Sequence, residues 1–317
     1  MKTGIFYFIN QNDECIRHLK LSLYFLFKNY NAKFKHNVIL FHTDEITSKN
    51  DIMMGIRNEV KHLITFQKLD PKIFDISKDS EEKMNFCFDI NPKIDWGTKE
   101  ERLLNRFWAI TFWDLVKDYD YVMKLDCDLI IEEPLRDCLF EIIKSKELIY
   151  IGNMLMIDCP LGSYGLHDYL KLKFKDKMND SGSMFVNTKI ADQDTINKFK
   201  IIYNKVTGNI YDKTDIDCNQ PISYTDSLYV TKPSYWNSIE IKTILTEIDN
   251  LGYILYYKWS AASIRSMIAM VLNREKISRC IFRISKSIHR ESFINQDGKP
   301  EAFIPDRYEL SGCVTSK

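Results

Sequence analysis

The segment Gly4-Ile5-Phe6-Tyr7-Phe8-Ile9 opens the chain with a run of apolar residues, which is the pattern of a buried β-strand. Leucine and aromatic residues then recur at helical spacing between Asp13 and Asn29, which predicts an amphipathic helix. Val38–His42 is a second apolar run of strand length. A strand, a helix and a strand in this order form a βαβ unit, and such units build parallel sheets that are covered by helices.

The same alternation continues along the chain and predicts a single α/β domain. We expect helices over 51–62, 99–115 and 259–272, and strands over 63–66, 121–125, 148–151 and 183–187. Residues 70–97 are less regular. The expected architecture is a mixed, mostly parallel sheet with helices on both faces, formed by residues 1–283, followed by a polar, basic C-terminal tail over 284–317.

The composition excludes several classes of protein. Lys plus Arg and Asp plus Glu both number 44, so the formal net charge is zero and gives no general attraction to nucleic acid. No window approaches the ~18 consecutive apolar residues of a membrane span, and the first apolar run is too short for a signal peptide. The eight cysteines are scattered without a CxxC pair, which suits a reducing compartment. We therefore expect an intracellular protein.

The sharpest chemical signal is Leu125-Asp126-Cys127-Asp128, where an apolar strand ends abruptly in two carboxylates. Hard oxygen ligands at positions i and i+2 can share one divalent cation such as Mn²⁺ or Mg²⁺. In open parallel sheets, ligands bind beyond the carboxyl ends of the strands, and this motif would lie there. The alternative is an ordinary acidic turn at the end of a strand.

Two further segments could contact a ligand. Arg102 and Arg106 are four residues apart on the helix that precedes the acidic motif, so they lie on one face of it. Together they could bind a phosphate or carboxylate group. The alternative is that they form surface ion pairs with Glu100 and Glu101. The Ser-Gly turn at Gly182 leads directly into a strand. Because Gly182 has no side chain, the backbone there could approach a bound sugar closely. An ordinary loop explains that turn equally well.

The aromatic segment Tyr256–Ser266 is the last candidate. Aromatic rings at the start of a helix can form an apolar floor under a sugar ring or a base. A place in the core is the default interpretation for Trp259.

Taken together, these segments resemble a GT-A glycosyltransferase, and more specifically the fungal α-1,2-mannosyltransferases of glycosyltransferase family 15. The resemblance covers residues 4 to about 275. Its motifs include Thr43-Asp44-Glu45, Arg102-Leu103-Leu104-Asn105-Arg106-Phe107, Tyr119–Asp128, Ser227-Leu228-Tyr229-Val230, Tyr235-Trp236-Asn237-Ser238 and Tyr256–Ser266.

The resemblance implies a Rossmann-like GT-A domain and a retaining hexosyltransferase. The donor would be a nucleotide-diphosphate sugar, with GDP-mannose as the first choice, and the acceptor a glycan or glycoprotein. Asp126 and Asp128 would hold Mn²⁺ or Mg²⁺ and act in catalysis together with Arg265. The implied donor-binding residues are Arg102, Arg106, Asp44, Gly182 and Asn187. The implied acceptor-side residues are Tyr235, Trp236, Tyr257 and Trp259.

Several positions depart from the pattern of that family. Asp126-Cys127-Asp128 stands where the family usually has Glu-Pro-Asp, and Arg265 stands where it has a metal-binding His. An arginine there could grip the diphosphate directly. The family's membrane anchor has no counterpart in this sequence, so we expect a cytoplasmic microbial or viral relative. Two alternatives remain: a UDP-hexose transferase, and a non-catalytic module that binds nucleotide sugars.

Overall fold

The computed structural model describes residues 1–10, 12–47, 49–90, 97–178, 184–280, 282–286, 293–294 and 300–301. Its strands are β1 (Thr3–Phe8), β2 (Asn37–His42), β3 (Ile64–Lys68), β4 (Tyr121–Leu125), β5 (Leu129–Ile131), β6 (Tyr150–Gly152), β7 (Leu155–Ile157), β8 (Phe185–Ile190), β9 (Ile216–Tyr224), β10 (Leu228–Thr231), β11 (Ile277–Arg279), β12 (Ile284–Lys286), β13 (Phe293–Ile294) and β14 (Pro300–Glu301).

The α-helices of the described residues are α1 (Asp13–Leu26), α2 (Ala32–Phe34), α3 (Lys49–Ile52), α4 (Asn58–Lys61), α5 (Lys78–Ile90), α6 (Lys99–Arg106), α7 (Phe112–Leu115), α8 (Leu139–Ser145), α9 (Leu166–Phe174), α10 (Gln193–Thr207), α11 (Pro233–Trp236), α12 (Ile239–Leu251), α13 (Tyr253–Tyr256) and α14 (Ala261–Asn273). None of them is both long and apolar enough to cross a membrane.

The central sheet has seven strands in the order β11-β6-β10-β4-β1-β2-β3. All its pairings are parallel except those of β10, which runs antiparallel between β4 and β6. The sheet is therefore mixed and mostly parallel, as the sequence predicts. Strand β10 is the exception that matters for the site, because its first residues lie beside the last residues of β4.

Helices cover both faces of this sheet, and successive residues of each strand enter opposite cores. Phe6 packs on the face that also receives residues of α7, α12 and α14. Ile5 and Tyr7 pack on the other face, against residues of α1 and α8. Burial on both faces explains why the central strands read as continuous apolar runs.

Two of the expected helices differ in detail. The helix expected over 51–62 is two short helices, α3 and α4, and Gly55 with a φ of 83° lies in the turn between them. The left-handed backbone at a glycine breaks a right-handed helix there. The helix expected over 99–115 is continuous, but a π-helical turn over Phe107–Thr111 joins α6 to α7. A capping box between Thr98 and Glu101 fixes its start.

The irregular stretch expected over 70–97 contains a helix that the sequence analysis missed. Helix α5 buries only Met84 and Cys87, three residues apart, and its other positions are largely polar. Such a narrow apolar stripe gives a weak periodic signal, and the helix is stabilised by packing on α10 and α13 instead.

Smaller sheets flank the central one. Strands β7, β9 and β8 form an antiparallel three-stranded sheet, and β12 pairs antiparallel with β5. The pairing of β12 places residues 284–286, at the start of the expected tail, on the domain itself. Most of the expected tail lies outside the described residues.

Trp113 and Trp236 stack face to face within the core, with ring centroids 4.9 Å apart and an angle of 16° between the planes. The indole N–H of Trp236 donates to Thr231 Oγ1 at 2.7 Å, and Asn237 Nδ2 donates to the carbonyl of Trp113 at 2.8 Å. These contacts attach α11 to the end of α7.

We expect Trp236→Ala to lower the free energy of unfolding by about 3–5 kcal/mol, because it removes a buried aromatic ring and leaves a cavity. Ile239 is 88% exposed, so Ile239→Ala should change stability by less than about 0.5 kcal/mol. Urea unfolding followed by circular dichroism measures both. Similar values for the two variants would contradict the stacked core described above.

Candidate active site

The paired carboxylates lie in a tight turn at the carboxyl end of β4. The carbonyl of Asp126 accepts from the backbone N–H of Leu129 at 3.1 Å, and the N–H of Asp126 donates to the carbonyl of Ser227 at 3.0 Å. The Cys127 thiol donates to the carbonyl of Phe8, in β1, at 3.0 Å. The sequence prediction that a buried strand ends in this turn is confirmed. Asp126 and Asp128 are both partly exposed at this edge of the sheet.

A buried lysine lies directly beneath this turn. The side chain of Lys124, in β4, is only 2% exposed, and its ammonium group stands over the Trp108 ring at 5.1 Å from the centroid. It forms an ion pair with Asp126 Oδ1 and donates to the carbonyl oxygen of Asp226 at 2.6 Å. It also lies 3.2 Å from Asp226 Oδ2. One ammonium group therefore joins two carboxylates that are far apart in the sequence.

Asp226 is a residue of the site that the sequence analysis did not identify. It lies in the short turn between β9 and β10, and Leu228 pairs with Leu125 in the antiparallel register of β10 on β4. This register places the start of β10 opposite the end of β4. The Asp226 side chain is 24% exposed. The sequence signals were a polar Thr225-Asp226-Ser227 turn between two apolar strands and the motif that begins at Ser227, and neither singles out Asp226.

Arg265 approaches Asp226 from the helical layer. It is fully buried in α14, forms an ion pair with Asp226 Oδ1, and donates to the carbonyl of Trp108 at 3.3 Å. Its guanidinium group lies 4.2 Å from the centroid of the Tyr229 ring. Burial lowers the pKa of Arg265 to about 10, against the opposing influence of Tyr150 and Asp126, so the group is cationic at neutral pH.

The start of α14 is fixed by hydroxyl groups. Ser260 caps the helix by accepting from the N–H of Ser263 at 3.0 Å, and it donates to Asp158 Oδ2 at 2.6 Å. Ser263 also donates to Asp158 Oδ2, at 2.5 Å. This capping holds the helix in place, and Arg265 projects from its second turn toward the acidic cluster.

The two arginines of α6 lie elsewhere. Arg102 is fully buried, donates to the carbonyl of Leu255 at 2.8 Å and lies over the Phe88 ring. Arg106 forms a bidentate ion pair with Asp249, with distances of 2.7 and 2.8 Å. Both residues thus tie α6 to the α12–α13 segment. A role of either arginine in donor binding stays a prediction.

The aromatic residues expected on the acceptor side are mostly in the core. Trp236, Tyr257 and Trp259 are each no more than 1% exposed, and the Trp259 indole donates to the carbonyl of Tyr164 at 2.7 Å. A buried ring offers no surface to an acceptor, so the structure gives these three a role in packing. Tyr235 is half-buried and accepts from Asn273 Nδ2 at 3.2 Å. Its acceptor role stays a prediction.

Three other predicted donor residues are scattered. Asp44 is exposed in the turn after β2, and its carbonyl accepts from His42 Nδ1 at 2.7 Å. Since β2 is parallel to β1 and β4, this turn lies at the same edge of the sheet as Asp126. Asn187 is exposed on β8, where it contacts Asn219 at 3.2 Å. Gly182 lies outside the described residues.

The chemistry of the site fits a divalent cation that is shared with a ligand. In the part of the chain that the structure describes, no group of three or more His, Cys, Asp and Glu side chains is arranged as a metal cage. Magnesium-type sites commonly use only one or two carboxylates, and phosphate oxygens and water supply the remaining ligands. Asp126 and Asp128 meet that requirement.

Comparisons with known proteins show a clear structural likeness. No family model and no curated protein matches the sequence. The structure matches core-mannan synthase A (CmsA/Ktr4) from Aspergillus fumigatus in its Mn/GDP form, with a TM-score of 0.61 and 13% identity over 88% of this chain and 72% of that one. The chain has a GT-A fold.

A second match is the mannosyltransferase Ktr4p from S. cerevisiae, with a TM-score of 0.65 and 15% identity over 88% of this chain and 68% of that one. A structure of the same yeast enzyme in complex with GDP gives a TM-score of 0.65 and 14% identity over the same shares of the two chains. The predicted fold class and the predicted resemblance to fungal mannosyltransferases are thereby confirmed.

We expect a measurable coupling between Arg106 and Asp249, because a bidentate pair that is largely shielded from water loses little to screening. A double-mutant cycle with Arg106→Gln and Asp249→Asn should give about 1–3 kcal/mol in urea unfolding. The exposed pair Lys242–Asp114 is the control and should give less than about 1 kcal/mol. Equal couplings in the two cycles would contradict a structural role for Arg106.

Proposed function

We propose that this protein is a glycosyltransferase that moves a hexose from a nucleotide-diphosphate sugar to a glycan or glycoprotein acceptor. The observation that carries the proposal is the position of Asp126 and Asp128. They are two partly exposed carboxylates at the carboxyl end of a central strand in a GT-A fold. That edge of an open α/β sheet is where such folds bind their ligands.

Mannose from GDP-mannose is the donor we favour, with retention of configuration at the anomeric carbon. The support is the likeness to two fungal mannosyltransferases, one in a Mn/GDP form and one with a GDP complex. A GT-A scaffold by itself fixes neither the base nor the sugar, so a UDP-hexose is the alternative donor.

Asp126 and Asp128 are the residues that would hold Mn²⁺ or Mg²⁺ against the diphosphate. A bound cation supplies positive charge to the leaving nucleoside diphosphate. The protein's share of the work is positioning, since an oxocarbenium-like transition state needs an aligned acceptor and a stabilised leaving group. Strand β4 and the hydrogen bond from Asp126 to Ser227 hold the first carboxylate in place.

Lys124 and Arg265 act on the carboxylates rather than on the donor. Both side chains are almost completely buried behind Asp126 and Asp226, so neither reaches the solvent-facing side of the site where a diphosphate would lie. We therefore assign Arg265 a positioning role in place of the direct diphosphate contact that the sequence suggests.

We expect the protein to release nucleotide from one donor in a panel of GDP-mannose, UDP-glucose and UDP-galactose. This release should occur in the presence of Mn²⁺ and be abolished by EDTA. Asp128→Asn should reduce the rate about 100-fold or more, because it removes a charged ligand at the leaving group. Nucleotide release is measured by a coupled phosphatase assay, with and without an oligomannoside acceptor.

The matched control is Asp118→Asn, an exposed aspartate in the turn before β4, which should keep the wild-type rate. Full activity of Asp128→Asn would refute the metal role of the pair. Nucleotide binding without release from any donor, with acceptor present, would favour a non-catalytic binding module.

A further inference from the structure

Lys124 places a fixed positive charge against the first carboxylate of the metal-binding pair. Its ammonium hydrogens match three acceptors: Asp126 Oδ1, the Asp226 carbonyl at 2.6 Å and Asp226 Oδ2 at 3.2 Å. With 2% of its side chain exposed, the lysine has no room to swing into solvent. Any cation that binds Asp126 therefore shares that carboxylate with a protein cation.

Arg265 prevents Asp226 from fully neutralising this lysine. The guanidinium group pairs with the same Asp226 carboxylate from the helical side. One aspartate charge is thus divided between two buried cations. As a result, Lys124 stays electrostatically positive toward Asp126.

The local sum of charges shows the consequence. Lys124 pairs with Asp126 and Asp226, and Arg265 pairs with Asp226, so two buried cations offset part of the negative charge of the carboxylates at this site. A divalent cation that arrives alone would therefore meet only weak net attraction from the carboxylates. It would also be repelled by the Lys124 ammonium group, and that repulsion is strong at short range in a partly buried site. The negative charges of a diphosphate would restore the attraction.

We propose that Lys124 makes divalent-cation binding depend on the donor diphosphate, so that cation and nucleotide bind as one unit. The inference rests on the proposed function of this site. It assigns Lys124 as a positioning residue for the metal ligands, with Asp226 and Arg265 holding its charge in place.

Binding of Mn²⁺ alone, followed by loss of its free electron paramagnetic resonance signal, tests the proposal without any turnover. Lys124→Met should bind Mn²⁺ about tenfold or more tightly than wild type, because the repelling charge is gone. Lys124→Arg keeps the charge and should retain the weak wild-type affinity. Lys117→Met, at an exposed lysine in the turn before β4, is the control for net charge and should bind as wild type does.

Mn²⁺ affinity of a folded Lys124→Met protein equal to that of wild type would overturn the proposal, whatever the donor assay gives. Circular dichroism establishes that the variant is folded. Failure of the donor assay alone would instead count against the proposed glycosyltransferase function, since the resonance experiment needs no donor.

The wild-type protein offers a second test that needs no variant. Thermal unfolding should show little shift with Mn²⁺ alone and a clear rise in Tm with Mn²⁺ and GDP (or UDP) together, larger than with the nucleotide alone. A rise with Mn²⁺ alone as large as the rise with both would also overturn the proposal.

Discussion

The candidate site depends on the antiparallel insertion of β10 beside β4. The pairing of Leu228 with Leu125 brings the turn that carries Asp226 to the end of the strand that carries Asp126. Lys124 then closes the arrangement by contacting both aspartates. Without this strand pairing, the lysine would be a charge buried in a parallel sheet, and such a charge is strongly unfavourable unless it is paired and hydrogen-bonded.

Buried charge also connects the sheet to the helical layer. Arg265 lies on a helix whose first turn is fixed by Ser260, and it reaches the same Asp226 that Lys124 contacts. Removing one partner of such a buried pair typically costs about 3–5 kcal/mol, because the other charge is left uncompensated. The cluster therefore orients the site and constrains the packing of α14 on the sheet at the same time.

The arginines of α6 show how environment decides the role of one residue type. Arg102 and Arg106 are four residues apart and contact the same neighbouring segment, as helical spacing requires. Their partners are a backbone carbonyl and Asp249, at the junction of helices. Arg265 instead faces the acidic turn. The sequence presents three arginines as candidates for anion binding, and the structure brings only one of them to the carboxylates of the site.

The sequence by itself determined those parts of the fold that depend on the local pattern of apolar and polar residues. The opening βαβ unit, strand β4 and the acidic turn after it follow from apolar runs and their abrupt ends, and residue motifs pointed to the GT-A fold. The sequence analysis missed helix α5 because only two of its residues, Met84 and Cys87, are fully buried, which gives a weak periodic pattern. Three of the four aromatic residues that the resemblance places on the acceptor side, Trp236, Tyr257 and Trp259, are buried in the core, because a matching motif does not specify whether a ring faces the core or a cleft.

Only the tertiary structure decided the composition of the site. Asp226 is 100 residues from Asp126 in the chain, and an antiparallel register sets their proximity. No local propensity encodes that register, since it results from side-chain packing on both faces of the whole sheet. The same holds for Lys124, which reads in the sequence as an isolated polar residue in an apolar strand. The fold surrounds it with two carboxylates and an aromatic ring, and the role that we propose for it depends on these neighbours.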